Sequence, residues 1–333
     1  MIRVAMLSFW HVHANDYARR AEEHPDTRIV AVWDELPERG RKEAQERGVP
    51  FYESLDELLA QDDIDAVIVD APTNMHRDVM VKAAEAGKHI FTEKVIAPTL
   101  REVNEILAAV EKSGVKLVVS LPRLYHGYTQ AIRQILDQGL LGELTLVRVR
   151  LSHNGATAGW LPPHFFDKEQ CQGGALIDLG CHPMYLTRLF LGEPESVSAR
   201  YGYMTGKEVE DNAVSVLSCA NGAIGVVEAG FVNRFSPFSI EIHGKDGTLL
   251  YGTPEDKLLV RSTRLEDNGQ TGWVEFPIPA DLPDAFHQWV QHIQQNTVAS
   301  ENIALARELT RLMEASNLSA ARGAVVALSE LAE

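Results

Sequence analysis

Residues 28–34 read RIVAVWD, an apolar run that ends in a carboxylate, Asp34. A shorter apolar run, Arg3–Leu7, precedes it, and the polar segment His13–Glu23 between the two suits a helix. A strand, a helix and a second strand in so short a stretch predict a βαβ unit with parallel strands. The alternation continues to Ser120, with further strands predicted at 66–69, 89–91 and 116–120. This part of the chain therefore predicts a parallel sheet covered by helices on both faces.

Capping signals mark the ends of several of these helices. Ser54–Glu57 and Thr99–Glu102 each fit a capping box, in which a hydroxyl and a carboxylate satisfy amides at a helix start. The second box is predicted to open a helix that ends at Gly114. A helix predicted over 76–86 is closed in the same way by Gly87, because glycine tolerates the left-handed conformation that ends many helices.

After Ser120 the pattern changes. A helix predicted over 125–138 leads to a strand at 144–151, and period-two apolar segments alternate with turn pairs from 196 to about 260. Such a run is typical of an antiparallel or mixed sheet. Two amphipathic helices, predicted at 282–294 and 302–322, close the chain. We expect an α/β Rossmann domain, residues 1–121, followed by an α+β domain, residues 122–333, with a mixed, mostly antiparallel open sheet.

The composition excludes several classes of function. The 333 residues carry 47 acidic and 31 basic side chains, a formal charge of −16, which would repel the phosphates of a nucleic acid. No apolar run approaches the roughly 18 residues of a membrane-spanning helix, and the first residues do not resemble a signal peptide. Three scattered cysteines do not suggest a disulfide framework. We therefore expect a cytoplasmic protein that acts on a small molecule.

Asp34 is the first candidate binding residue. At the end of the second strand of a βαβ unit, a carboxylate can accept hydrogen bonds from the ribose hydroxyls of an adenosine, and it would repel a 2′-phosphate. This position therefore favours NAD over NADP. Taken alone, Asp34 could equally open the turn before Pro37.

The loop after the first strand departs from the usual dinucleotide-binding pattern. Where G-x-G-x-x-G is expected, the chain reads SFWHVH from Ser8 to His13. Bulky side chains would hold a pyrophosphate further out or to one side, although helix amides, His11 or His13 could still bind it. The two histidines also suggest a metal pair, but no carboxylate or cysteine ligand lies nearby in the sequence, so no metal site is predicted.

The decapeptide Gly173–His182, GGALIDLGCH, carries a second set of candidates. Asp178 precedes His182 by four positions, which on a helix places both side chains on one face, and a histidine held by a carboxylate can exchange a proton near neutral pH. The alternative is that Asp178 only caps a helix and His182 only packs. Because proline disfavours helical dihedrals in the residue before it, we expect the helix to begin at Pro183. The glycine pair would then let the approach pass close beneath a nicotinamide.

Several features together resemble one known family. Residues 88–94, KHIFTEK, end a predicted strand with a Glu-Lys pair, and the G-G-x-x-x-D-x-G-x-H stretch follows about eighty residues later. With Asp34 and the closing pattern ARELTRLMEASNLSAARGAVV, they are similar to the Gfo/Idh/MocA family of nicotinamide-dependent oxidoreductases. That family includes inositol and glucose dehydrogenases and glucose–fructose oxidoreductase. The resemblance covers nearly the whole chain.

The resemblance implies roles for particular residues. Lys94, Asp178 and His182 match the family's catalytic triad, and Arg123 matches an arginine near the active site. The residues expected to bind the cofactor are Ser8, Phe9, Trp10, His11, Asp34, Pro72, Thr73, His76, Glu93 and Lys94. Val95 replaces the proline that follows this lysine in the family. Because a cis bond without proline costs roughly 3–4 kcal/mol, we expect any cis turn there to be lost.

The reaction implied by the resemblance is hydride transfer. His182 takes the hydroxyl proton of a secondary alcohol as hydride leaves its carbon, Asp178 orients His182 or raises its basicity, and Lys94 stabilises the developing oxyanion. A sugar or polyol is the expected substrate class. Its candidate contacts are Arg123, Tyr125, His153, Trp160 and His164, together with His126 and Tyr128. Plain packing of the loop 152–168 and its neighbours would explain these residues equally well.

Two other functions fit the same sequence. An NAD-assisted glycosidase of the same family would oxidise its sugar only transiently and regenerate the cofactor within each turnover. A non-catalytic nucleotide- or sugar-binding regulator is favoured by the missing glycines and opposed by the intact set Lys94, Asp178 and His182. By family analogy we also expect a homodimer or homotetramer that pairs through the free face of the second-domain sheet.

Overall fold

The computed structural model describes residues 1–236, 238–252 and 254–331. The chain divides into two compact units. Among the described residues, the first comprises Met1–Leu121 and Pro283–Arg307, and the second comprises Pro122–Leu282 and residues 308–331. The chain passes from the first unit to the second after Leu121, and Pro283–Arg307 return to the first unit.

Six parallel strands form the sheet of the first unit: β1 (Ile2–Leu7), β2 (Thr27–Trp33), β3 (Phe51–Tyr52), β4 (Ala66–Val69), β5 (His89–Thr92) and β6 (Leu117–Val119). Their order is β3-β2-β1-β4-β5-β6, so the predicted Rossmann fold is confirmed. The order reverses between β1 and β4. In such sheets ligands bind outside the carboxyl ends of the strands beside this reversal.

Helices connect these strands: α1 (Ala14–Glu23), α2 (Pro37–Arg47), α3 (Leu55–Leu59), α4 (His76–Glu85) and α5 (Leu100–Ser113), with a 3-10 helix at Thr73–Met75. At α5 the Thr99 hydroxyl and the Glu102 carboxylate form the predicted capping box, and Gly114 ends the helix at a φ of 71°. Strand β4, AVIV, is buried along its whole length, as expected for a strand covered on both faces.

Nine strands form the sheet of the second unit: β7 (Leu144–Ser152), β8 (Ser196–Gly202), β9 (Asn212–Ser218), β10 (Ile224–Gly230), β11 (Ser239–Gly244), β12 (Gly247–Tyr251), β13 (Leu258–Ser262), β14 (Val274–Phe276) and β15 (Val326–Ala327). Their order is β14-β13-β12-β11-β7-β10-β9-β8-β15. Strands β7 and β10 pair in parallel, and the other neighbours pair antiparallel. The predicted mixed, mostly antiparallel sheet is confirmed.

The helices of the second unit are α6 (Gly127–Asp137), α7 (Gly155–Ala158), α8 (Lys168–Cys171), α9 (Ala175–Asp178), α10 (Cys181–Leu191) and α11 (Thr263–Asp267), with 3-10 helices at Pro122–Leu124, Pro163–Phe166 and Leu328–Glu330. Helix α10 covers one face of the sheet, because a Cβ on Gly225 of β10 would lie 2.7 Å from Thr187 Cγ2. The opposite face is open, since Val214 of β9 is 38% exposed and Ile224 of β10 is 40% exposed.

The last two long helices are α12 (Ala285–Gln295) and α13 (Ser300–Arg322). The rings of Phe286 and Trp289 in α12 lie 5.6 and 5.8 Å from the ring of Phe91 in β5. The Asn302 side chain bonds both the amide and the carbonyl of Val119 in β6, at 2.9 and 2.8 Å. These contacts explain why Pro283–Arg307 belong to the first unit. Among the described residues, no helix has the length and apolar character needed to cross a membrane.

Candidate active site

The loop Ser8–His13 turns the chain from β1 towards α1 without a glycine. Ser8 itself takes the positive φ, 77°, that glycine would favour, and its hydroxyl accepts a hydrogen bond from the Trp10 amide at 3.1 Å. Phe9 is buried, with the Arg47 guanidinium 4.8 Å from its ring centroid. The tight turn that the glycine pattern provides is therefore made by serine, and Phe9 packs within the first unit.

Asp34 is held by four hydrogen bonds. Its Oδ1 accepts from the Leu36 amide at 2.8 Å and from Arg39 Nη2 at 2.7 Å. Its Oδ2 accepts from the Phe9 amide at 2.9 Å and from Arg39 Nε at 2.8 Å. A carboxylate has about four acceptor positions, so Arg39 occupies positions that ribose hydroxyls would use. Arg39 also bonds Glu35 at 2.5 Å, which gives this strand end two carboxylates and one guanidinium.

Glu93, directly after β5, lies in a cluster with His11, His13 and Tyr17. Its Oε2 is 3.3 Å from His13 Nδ1 and 4.0 Å from His11 Nδ1, and the Tyr17 hydroxyl donates to the same oxygen. Burial would raise the pKa of Glu93, but the two imidazoles and the Lys94 ammonium hold that pKa well below its usual range. Glu93 is therefore an ionised carboxylate inside the first unit.

Lys94 is buried, with its side chain 2% exposed and its Nζ 3.8 Å from Glu93 Oε1. The peptide bond between Lys94 and Val95 is cis, so the expectation that a cis turn is lost without proline is wrong. The Val95 side chain is buried and its carbonyl lies 2.9 Å from His76 Nδ1. Neighbouring residues, in place of a proline ring, surround this turn.

The segment after β4 carries three residues that were predicted beside the cofactor. Pro72 precedes the 3-10 helix that the buried Thr73 opens. The two ring nitrogens of His76 lie 2.9 and 3.0 Å from the carbonyls of Val95 and Ala71. Burial lowers the pKa of His76, although both carbonyl acceptors oppose this shift. His76 thus ties the chain after β4 to the chain after β5, and a role at the cofactor stays a prediction.

In the second unit, the start of the Gly173–His182 segment is fixed by its fit to Glu210. The buried Glu210 carboxylate accepts from the amides of Gly174 and Leu176, at 2.9 and 3.0 Å. A Cβ on Gly174 would lie 2.1 Å from the Glu210 carbonyl oxygen. Glycine is therefore required at position 174 because the chain passes close to the Glu210 backbone. The sequence suggested a different reason, the passage of this segment beneath a nicotinamide.

Asp178 is the last residue of α9, and His182 is the second residue of α10. Helix α10 begins at Cys181, and the predicted start at Pro183 is wrong, because proline is tolerated throughout a first helical turn, where its missing amide has no helical partner. The His182 Nδ1 lies 3.3 Å from the Tyr185 hydroxyl oxygen. That oxygen also accepts from the Arg123 amide at 2.9 Å, so Tyr185 links a predicted catalytic residue to a predicted substrate residue.

His153 lies close enough to Asp178 for the carboxylate charge to affect the pKa of the imidazole. Burial lowers the pKa of His153, and the Asp178 carboxylate partly offsets this shift. The His153 ring stacks on Phe231 at 5.1 Å and lies 4.6 Å from the ring of Trp160, which is 56% exposed. His153 Nδ1 accepts from the Gly155 amide at 3.0 Å. A neutral imidazole that accepts at Nδ1 carries its proton on Nε2, so His153 is a hydrogen-bond donor near Asp178.

The other predicted substrate residues fall into two kinds. The Arg123 guanidinium donates to the Tyr128 hydroxyl at 3.1 Å, and His126 stacks on Tyr128 at 5.4 Å, so these three side chains form one group. Tyr125 and His164 are instead engaged through their backbone carbonyls, which accept from the Leu282 amide and the Cys171 thiol respectively.

Both halves of the chain match models of one family. Residues 4–121 match the oxidoreductase family model with an NAD-binding Rossmann fold, and residues 129–250 match the GFO/IDH/MocA C-terminal domain. The scyllo-inositol 2-dehydrogenase (NAD(+)) of Bacillus subtilis (strain 168) is 32% identical over 276 residues, which are 79% of this chain and 75% of that protein. The chain belongs to the Gfo/Idh/MocA family.

Two other proteins resemble the chain over a greater length. The 1,5-anhydro-D-fructose reductase of Ensifer adhaerens is 27% identical over 287 residues, 82% of this chain and 84% of the relative. A levoglucosan dehydrogenase, solved with NADH and levoglucosan, shares the fold with a TM-score of 0.81 at 22% identity, and 98% of each chain is covered. As a member of this family, the chain is an NAD(P)-dependent oxidoreductase.

Sequence reasoning missed four residues that organise the Gfo/Idh/MocA site candidates: Tyr17, Arg39, Tyr185 and Glu210. Arg39 could have been found, since it follows Asp34 by only five residues. Glu210 lies thirty-six positions from Gly174, and Tyr17 lies seventy-six from Glu93. No local pattern connects partners at such distances, because only the folded chain brings them together.

Proposed function

We propose that this enzyme transfers hydride between a nicotinamide cofactor and a secondary alcohol or ketone of a sugar, an inositol-like polyol or a related hydroxy compound. The observation that carries the proposal is the burial of Lys94, whose side chain is 2% exposed. Lysine is almost never fully buried unless it is paired, and here the ionised Glu93 lies 3.8 Å from the Lys94 ammonium. The pair keeps a positive charge inside the first unit, where it could stabilise a developing oxyanion. The names of the inositol and 1,5-anhydro-D-fructose relatives support the substrate class.

The proposed tasks of the protein are to move one proton and to stabilise one developing charge. When bound, the nicotinamide accepts the hydride in oxidation and donates it in reduction. In oxidation, His182 takes the hydroxyl proton as the C–H bond breaks and the C=O bond forms, and Lys94 donates a hydrogen bond to that oxygen. Asp178 orients His182 or raises its basicity. Tyr185, 3.3 Å from His182 Nδ1, fixes the orientation of the imidazole ring.

Two groups of the second unit are proposed to hold the hydroxyls of the substrate. One is His153 with Trp160, where an imidazole donor lies beside an exposed indole face. The other is Arg123 with Tyr128 and His126, which combines a guanidinium, a phenol and an imidazole. Aromatic faces and convergent donors suit a hydroxylated ring. Tyr125 and His164 are proposed as further contacts by their position in these segments.

We propose NAD as the preferred cofactor, although relatives named for NAD(+) and for NADP(+) both match the chain. Support comes from the end of β2, where Asp34 and Glu35 place two carboxylates beside the single guanidinium of Arg39. The excess negative charge would repel a 2′-phosphate. Titration of the protein with NADH and NADPH, followed by nicotinamide fluorescence, should show tighter binding of NADH. Tighter binding of NADPH would instead assign Arg39 to the phosphate.

The deciding experiment combines that titration with turnover of His182→Ala. We expect a loss of roughly 10²–10⁴-fold in kcat, the usual contribution of a general base, with the affinity for NADH nearly unchanged. His292→Ala, on helix α12, is the matched control and should behave as the wild type. Unchanged turnover of His182→Ala would remove His182 from the mechanism, and binding of neither NADH nor NADPH would overturn the enzyme proposal.

Net formation of NADH separates the dehydrogenase from an NAD-assisted glycosidase. The dehydrogenase converts NAD to NADH in proportion to the polyol oxidised, whereas the glycosidase returns the cofactor to its starting state within each turnover. Release of a free sugar from a glycoside without net NADH would therefore favour the glycosidase. Cofactor binding with neither activity, over a panel of inositols, aldoses and glycosides, would favour the regulator.

The proposed assembly is a homodimer or homotetramer that pairs through the open face of the second-unit sheet. Val214 and Ile224 lie on this face together with Val216, Val226 and Leu146, beside the ion pair of Arg148 with Glu228. An apolar sheet face of this kind is a common subunit contact. Light scattering should give a multiple of the 36.9 kDa chain mass, and Ile224→Arg should reduce it.

The proposed compartment, the cytoplasm, agrees with the free cysteines Cys171, Cys181 and Cys219.

A further inference from the structure

A cluster of possible metal ligands lies at the carboxyl ends of β1 and β5. One ligand atom each of His11, His13 and Glu93 falls within 4.8 Å of the other two. Two of the individual distances are 3.3 Å, from His13 Nδ1 to Glu93 Oε2, and 4.0 Å, from His11 Nδ1 to the same oxygen. Ligand atoms around a tetrahedral Zn²⁺ at about 2.0–2.1 Å are separated by roughly 3.4 Å. The 3.3 Å separation matches this value and the 4.0 Å separation exceeds it. His11 Nδ1 also accepts a hydrogen bond from the His13 amide at 3.3 Å, so the His11 ring would have to turn to bind an ion through this nitrogen.

The fold supplies the ligand that the sequence lacks. His11 and His13 are two residues apart, but Glu93 follows His13 by eighty positions and reaches both because β5 lies two strands from β1 in the sheet. Two imidazoles with one carboxylate are a ligand set that suits Zn²⁺ and its first-row neighbours, whereas Mg²⁺ and Ca²⁺ prefer oxygen ligands alone. Three protein ligands would leave a further coordination position open.

Two buried carboxyl groups at the cluster could also accept a further positive charge. Asp70, directly after β4, is fully buried next to Glu93, and neither of its carboxylate oxygens has a hydrogen-bond partner among the described residues. The same holds for Glu93 Oε1, which has only the Lys94 ammonium at 3.8 Å. Two carboxyl groups buried side by side are costly without compensating positive charge. At Glu93 the two imidazoles and the Lys94 ammonium supply that charge, and a divalent ion bound by neutral imidazoles would supply it in place of their protons.

We propose that His11, His13 and Glu93 bind one divalent first-row transition-metal ion of the Zn²⁺ type. The site lies wholly within the first unit, and two of its three ligands, His11 and Glu93, are also predicted cofactor residues. It also gives the unusual sequence SFWHVH a purpose, since it places two imidazoles where the dinucleotide-binding pattern has glycines. The alternative for the same contacts is a hydrogen-bonded cluster that only stabilises the ionised Glu93.

The experiment uses the full chain without a polyhistidine tag, stripped by a chelator and then dialysed. Calorimetric titration with Zn²⁺ should give one ion per chain, and Co²⁺ should give the visible absorption of a low-symmetry, four- or five-coordinate ion. His13→Gln and Glu93→Gln should each weaken Zn²⁺ binding at least tenfold, since even changes behind the direct ligands cost 10–100-fold. His287→Gln is the matched control, because His287 also pairs with a carboxylate, Asp284, at 2.9 Å.

The variants separate a metal site from a structural cluster and from stray binding. His13 is partly exposed, so His13→Gln should fold even if Glu93→Gln does not, and circular dichroism checks both. Absence of stoichiometric binding in the wild type would overturn the proposal. Binding that survives His13→Gln but falls in His287→Gln would also overturn it, since the ion would then lie at the exposed histidine. None of these readouts depends on turnover, so the hydride-transfer proposal can stand or fall separately.

Discussion

The two groups of candidate residues are positioned by different means. At the strand ends of the first unit, charged side chains hold one another, as when Arg39 bonds both oxygens of Asp34 and His13 contacts Glu93. In the second unit, the segment that carries Asp178 and His182 is positioned through its backbone, by Glu210 and by the close approach at Gly174. The first arrangement depends on charge and the second on shape, so the two should respond differently to mutation and to pH.

The largest expected effect is that of Gly174→Ala, which tests the dependence on shape. The new Cβ would lie 2.1 Å from the Glu210 carbonyl oxygen and 2.9 Å from its amide nitrogen, and neither backbone atom can move without displacing the segment. We expect a loss of about 3 kcal/mol in the free energy of unfolding, measured by urea denaturation, together with loss of turnover. Gly202→Ala is the control, because its nearest neighbours lie at 3.5 Å. Equal stability of the two variants would show that the segment is not held by shape.

The predictability of the two arrangements follows the same division. The parallel sheet, helix α5 with its capping box and the Glu-Lys pair after β5 all rest on local patterns, and the structure has them where the sequence indicated. Gly174 was recognised as special, but its reason was not, since Glu210 lies outside any local window. Glu93 could not be recognised as the carboxylate partner of His11 and His13 for the same reason. Local sequence patterns thus predict the helices and strands and mark unusual residues. The contacts that such residues make to distant parts of the chain appear only in the folded structure.

The next effect tests the dependence on charge through Asp70→Asn. Burial and the neighbouring Glu93 raise the pKa of Asp70 well above its usual range, so the folded chain binds a proton that the unfolded chain releases. Stability from this group is full below the ordinary carboxyl pKa and declines as pH rises towards the raised folded pKa, by up to about 1.4 kcal/mol per pH unit. Asp70→Asn removes this decline, so its unfolding free energy should fall less between pH 5 and pH 8 than that of the wild type.

The control for Asp70→Asn is Asp65→Asn. The Arg3 hydrogen bonds lower the pKa of Asp65, which lies just before β4 and is partly exposed, so its contribution has the opposite sign and is lost as pH falls. Both proteins should first be treated with a chelator to remove bound metal, because a metal ion bound by Glu93 would change the charge beside Asp70. Parallel pH profiles of wild type and Asp70→Asn would show that Asp70 carries no extra proton in the folded state.

The smallest effect is expected from Tyr185→Phe, which tests whether charge and hydrogen bonding matter in the second unit as well. If the Tyr185 oxygen accepts from both the Arg123 amide and His182 Nδ1, it leaves His182 Nε2 as the basic nitrogen. Its removal should cost about 1 kcal/mol of stability and roughly tenfold in kcat, which corresponds to about 1.4 kcal/mol. Because the charged imidazolium loses an acceptor, the acidic limb of the kcat profile should move to lower pH. If the variant is less stable but keeps the wild-type pH profile, Tyr185 contributes only packing. Shape alone would then position Asp178 and His182 in the second unit.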